Sequence, residues 1–73
     1  MQAGANIEVA DSAAWRPLHS ASQQGHVPVV RELLRVRANL EAADQQQARP
    51  LYWASVEGHL DVARELLQAP LAF

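Results

Sequence analysis

Residues 11–34 of this chain recur as residues 44–67, displaced by 33 positions. Asp, Arg, Pro, Leu, Ala, Ser, Gly, His, Val, Arg, Glu and a closing Leu pair all return in register. The stretch before them echoes too, because Ala5, Asn6, Glu8 and Ala10 reappear as Ala38, Asn39, Glu41 and Ala43. Comparing residues 1–40 with 34–73 gives 17 identities, far beyond coincidence. A period of this length marks one supersecondary unit that cannot bury its apolar face alone and so stacks on its neighbour. The expected division is a partial connector at 1–10, a first unit at 11–43 and a second at 44–73 with its last connection cut short.

Within the first unit, Gly4 and Asn6 tolerate positive φ, and Ile7 and Val9 alternate as in a short extended segment. Pro17 presets φ for a first helical turn, and Gly25 ends the run, which predicts a helix over Pro17–Gln24. Val30, Leu33 and Leu34 form the i, i+3, i+4 stripe of a second helix, Val27–Arg35, in which Pro28 is tolerated in the opening turn. Glu32 and Arg35 are spaced to pair, while Arg31 and Arg35 repel. The second unit predicts helices over residues 50–57 and 61–68, broken at Gly58-His59, with Asp61 placed to favour a helix start. Pro70 stops the last helix.

Seventy-three residues allow one small domain at most, and 14 of the 36 apolar residues are alanine. Thin, closely packed helices suit that composition; a deep ligand cavity does not. Six scattered arginines against eight acids leave a net charge of −2 and no basic stripe for a phosphate backbone. The absence of cysteine excludes disulfides and thiolate metal sites. No apolar run approaches the roughly 20 residues that span a bilayer, and residues 1–10 lack a signal peptide's apolar segment. A soluble, intracellular chain, cytoplasmic or nuclear, is expected.

In period, order and motif the chain resembles the ankyrin repeat family. The resemblance rests on Arg16-Pro17-Leu18-His19, Ala21, Gly25-His26 and Leu33-Leu34, repeated as Arg49-Pro50-Leu51-Tyr52, Ala54, Gly58-His59 and Leu66-Leu67. It implies an all-α solenoid of helix-turn-helix units joined by β-turn fingers. Three departures from the family pattern bear on stability. Arg16 and Arg49 replace the threonine that caps the first helix, a loss of about 1 kcal/mol each. Ala14, Gln47, Arg37 and Pro70 stand where the family has glycine, so positive φ at any of them is strained. Tyr52 replaces the motif histidine.

Catalytic and metal readings fare poorly. Asp11, His19 and Ser20 supply the residue types of a triad, but neighbours on a helix do not face each other. A zinc ion needs ligands within about 2.0–2.1 Å, whereas His26 and His59 sit in units stacked roughly 8–10 Å apart. Turn hydrogen bonding explains them better. The expectation is no enzyme, no metal and no cofactor.

The resemblance implies instead a concave protein-binding surface of turn tips and first helices. Carried over by position, it comprises Ser12, Ala13, Trp15, Gln23 and Gln24, then Gln45, Gln46, Ala48, Val56 and Glu57. Trp15, in the turn before Pro17, is expected to be at least partly exposed, while Trp53 fits core or surface equally. The function expected is a non-catalytic protein-protein interaction module, with another protein as partner, no nucleic acid or membrane, and further repeats flanking it in a longer chain. The alternative is a structural spacer or truncated fragment of a longer array with no binding of its own.

Overall fold

A computed structural model of the chain describes residues 7–69. Four helices follow one another: α1 Pro17–Gln24, α2 Val27–Arg35, α3 Pro50–Val56 and α4 Leu60–Gln68. α1 and α2 fall where proline, glycine and the leucine stripe place them. α3 ends one residue earlier than expected and α4 begins one residue earlier. Among the described residues there is no strand, and Ile7 lies in a turn, so the expected extended segment at Ile7 and Val9 does not form. No helix among those residues is long and apolar enough to cross a membrane.

Pro17 and Pro50 open α1 and α3, where a missing N–H costs nothing. Gly25 stops α1 in the left-handed conformation at φ 74°, and the His26 amide turns back to the Ala21 carbonyl at 3.0 Å. The second unit repeats this at Gly58, φ 73°, with the His59 amide on the Ala54 carbonyl at 2.8 Å. Arg37 ends the α2 connection at φ 66°, and the turns before α1 and α3 hold Ala14 at φ 61° and Gln47 at φ 66°. The strain expected at three of the replaced glycines is therefore real; Pro70, the fourth, lies outside the described residues.

Each helix pair folds back through its Gly-His turn, and the pairs stack so that α1 packs on α3 and α2 on α4. The core runs along this seam, through Leu18, Ala21, Val30, Leu33, Ala38, Ala54, Val62 and Leu66. Alanine at 21 and 54 permits close approach, while Val30 and Val62, both fully buried, each contribute about 2 kcal/mol of burial.

Two devices brace the helix starts where threonine is lost, the first of them in the first unit alone. The Arg16 amide donates to Nδ1 of His19 at 3.1 Å, which leaves that ring's proton on Nε2. The Arg16 guanidinium reaches Glu8 at 3.2 Å, and Arg49 reaches Glu41 at the same distance one repeat later. These pairs are partly or well exposed, so each adds well under 1 kcal/mol. Glu32 and Arg35 pair as their spacing predicts, at 2.9 Å.

Candidate functional site

The two turn tips are built alike, each on an aspartate that folds its own loop. Asp11 Oδ1 accepts from the amides of Ala13 at 2.8 Å and Trp15 at 3.0 Å, and the Ala14 amide closes the turn on the Asp11 carbonyl at 2.9 Å. Asp44 Oδ1 likewise accepts from Gln46 at 2.8 Å and Ala48 at 2.9 Å, with the Gln47 amide on the Asp44 carbonyl at 3.0 Å. Aspartate is suited to such a turn because its short side chain reaches the backbone two residues on.

The tips are also tied to each other. Gln45 donates its amide to the Ala13 carbonyl at 3.1 Å and its side-chain nitrogen to the Ser12 carbonyl at 2.7 Å. His19 spans the same seam, with Nε2 donating to the Ala48 carbonyl at 3.2 Å. A third link runs from His59 Nε2 to the Gln23 carbonyl at 3.0 Å. His59 thus takes the hydrogen-bonding part expected of it, whereas its counterpart His26 is exposed.

What separates the two aspartates is the pair of tryptophans. Oδ2 of Asp44 accepts both indole N–H groups, from Trp15 and Trp53, each at 2.9 Å. The rings lie against each other at a centroid distance of 5.0 Å and a tilt of 60°, and Trp15 also stacks on His19 at 6.1 Å. Asp44 is buried at 4% exposure while Asp11 is open to solvent. Burial pushes the Asp44 carboxyl up, but donation by the Ala48 amide, the Trp53 indole, the Gln46 amide and the Trp15 indole outweighs it and brings the carboxyl down to about 2.

Above this buried carboxylate, Ala13, Trp15, Gln45 and Gln46 line a shallow depression of about 250 Å³ together with Asp44 and Trp53. Four of the ten residues expected at a binding surface therefore converge on one place. Ser12 sits beside it, exposed. Gln24, Val56 and Glu57 are exposed at the far ends of α1 and α3, and Gln23 is half-buried under His59. Ala48 is a correction: it is 7% exposed, with its amide and carbonyl taken by Asp44 and His19, so it supports the surface from below.

Two residues of the depression escape sequence reasoning. Trp53 corresponds to Ser20 and Trp15 to Ala48 one repeat away, so the period offers no hint that the rings meet. Asp44 reads as a turn residue like Asp11, and nothing local marks it as the acceptor of both indoles.

The family model for ankyrin repeats, described as three copies, matches residues 1–72. The chain belongs to the ankyrin repeat family. Ankyrin repeats generally mediate protein-protein interaction and are generally non-catalytic. No curated protein matches the chain.

Proposed function

We propose that this ankyrin-repeat chain is a non-catalytic protein-protein interaction module, with turn tips and first helices forming its docking surface. The observation that carries this reading is the depression over Asp44. Its floor is two indoles held in place by one carboxylate, and its rim is Ala13 with the side chains of Gln45 and Gln46. A pre-ordered aromatic floor gives contact area at low entropic cost, and the neutral polar rim favours a partner that hydrogen-bonds over a strongly charged one. Ser12, Gln24, Val56 and Glu57 extend the surface along α1 and α3. The partner in this reading is a protein met inside the cell, with neither nucleic acid nor membrane as the target; the six arginines are scattered and form no basic stripe.

Selection of a displayed protein-fragment library on the chain tests the reading. Binders that lose affinity on Ala13→Arg and Gln46→Arg, and keep it on Arg35→Ala at the opposite side, support it. Both blocking positions are exposed, so folding is retained. A library that gives no binder sensitive to Ala13 or Gln46 rejects it and favours the second reading, a spacer within a longer array. Leu60 and Leu67, left exposed at the end of the stack, are the observation behind that reading.

A further inference from the structure

The repeat supplies its own control for which surfaces are unfinished. Each residue can be compared with its counterpart 33 positions away, which has the same local structure but different neighbours. Val62 is 0% exposed beneath α2, whereas its counterpart Val29 is 47% exposed. Val29 therefore marks a first end face. At the opposite end, Val27 and Leu34 are packed against the core, whereas their counterparts Leu60 and Leu67 are 59% and 70% exposed. His19 is fully buried and Tyr52, its counterpart, 53% exposed. Each end face is thus half of the interface that the two helix pairs already make with each other.

We propose that these faces dock on one another between copies, so that the chain associates head to tail with a second copy of itself. The halves match in chemistry as well as shape. Ala21, Val29, Glu32 and Leu33 of an incoming copy repeat Ala54, Val62, Glu65 and Leu66 without a change. Arg31 donates to Glu65 across the internal seam at 3.0 Å, and the same step places Arg64, exposed at the second face, opposite the incoming Glu32, which also accepts from Arg35. The incoming His26, exposed in one copy, meets the Val56 carbonyl as His59 meets that of Gln23.

Four differences make this contact weaker than the internal one. Tyr52 stands where His19 bonds the Ala48 carbonyl across the internal seam, and the incoming Ser12 stands where Gln45 bonds the Ser12 carbonyl through its side chain. Ala48 stands at the position equivalent to Trp15, so the indole-to-aspartate link has no counterpart. In the shared register residue 1 of the incoming copy also coincides with position 67 of the first, and one chain end has to give way. Because the two faces differ and the contact continues the open stack of helix pairs, copies add in a row. An affinity of about 0.1–1 mM is expected, the range of a weak transient contact.

Sedimentation equilibrium of the full chain from about 10 μM to 1 mM tests this. The expected result is a mean mass that climbs steadily from 8.0 kDa without a plateau at the dimer. Val29→Asp and Leu60→Asp each block one face at an exposed position in a first helical turn, where aspartate is tolerated. Each variant alone stays monomeric, and an equimolar mixture forms dimers and stops there, because each supplies the face the other lacks. A wild-type mass fixed at 8.0 kDa up to 1 mM overturns the proposal and leaves the faces to units of another sequence. A mass that levels at the dimer, with one variant still pairing with itself, overturns it in favour of a face-to-face dimer.

Discussion

Trp15 reaches across the seam between the two turn tips and donates its indole N–H to Oδ2 of Asp44, 29 residues on, at 2.9 Å. This contact joins stability to the proposed binding surface, since the ring that roofs the buried carboxylate also lines the depression above it. Trp53 completes the arrangement from α3 on the same oxygen.

The first prediction concerns acid. Asp44 titrates at about 2 in the folded chain against an ordinary 3.8, so its folded-state value is depressed. The stability it contributes is fully present above about pH 4 and is lost as pH falls through 2. Tryptophan fluorescence between pH 5 and 1.5 should report loss of the paired indoles in that window. Asp44→Asn keeps the shape but replaces one acceptor by a donor; it should lower the melting temperature at pH 7 and flatten the acid limb. Asp11→Asn, at the exposed tip, should leave both nearly unchanged.

Backbone strain makes the second prediction. Ala14, Arg37 and Gln47 sit at φ 61°, 66° and 66°, in a region that costs a non-glycine residue about 1–2 kcal/mol. Glycine removes that strain and gives back part of the gain as unfolded-state entropy. Each of Ala14→Gly, Arg37→Gly and Gln47→Gly should raise stability by about 0.5–1 kcal/mol in urea unfolding. Arg37 lies in a turn apart from the two linked tips, so Arg37→Gly should add to the effect of either tip variant.

The two Gly-His turns should respond unequally. A Cβ at Gly25 would lie 2.7 Å from Nδ1 of His59, whereas a Cβ at Gly58 meets nothing within 4 Å. Both glycines have positive φ, so alanine costs about 1 kcal/mol at either. Gly25→Ala must also turn His59 away from the Gln23 carbonyl, adding about 1 kcal/mol. Equal losses on chemical denaturation would show that the His59 bond contributes nothing.

The period and its punctuation made the helices legible, because proline, glycine and the Leu pair act locally and appear twice. The one-residue errors fall at Glu57 and Leu60, where no buried side chain holds the end of a helix in place. Strain at Ala14, Arg37 and Gln47 was readable through the family resemblance, which puts glycine at these turn positions. The depression proposed for binding was legible in part. Ala13, Trp15, Gln45 and Gln46 line it as the family resemblance implies, but Ala48 lies beneath it because its burial depends on bonds to Asp44 and to His19 of the other unit. The Trp15–Asp44–Trp53 cluster was hidden altogether, since it breaks the repeat and a comparison by period sees only what recurs.

Tyr52 is where the second unit departs most from the first, and restoring the likeness is the last prediction. Arg16 and Arg49 have nearly the same backbone, at φ −97°, ψ 167° and φ −102°, ψ 166°. A histidine three residues on therefore starts from the geometry in which His19 Nδ1 accepts the Arg16 amide at 3.1 Å. Tyr52→His should form that bond at Arg49, a gain of about 1 kcal/mol. Against it stands the edge contact of Tyr52 on Trp53, at a centroid distance of 5.2 Å, worth about 0.5–1 kcal/mol in general and less here because Tyr52 is half exposed. The amide bond should win by a few tenths of a kcal/mol, read as a small rise in the urea midpoint with no change in slope. A fall would show that the tyrosine steadies Trp53, and through it Asp44, more than a capped helix start does.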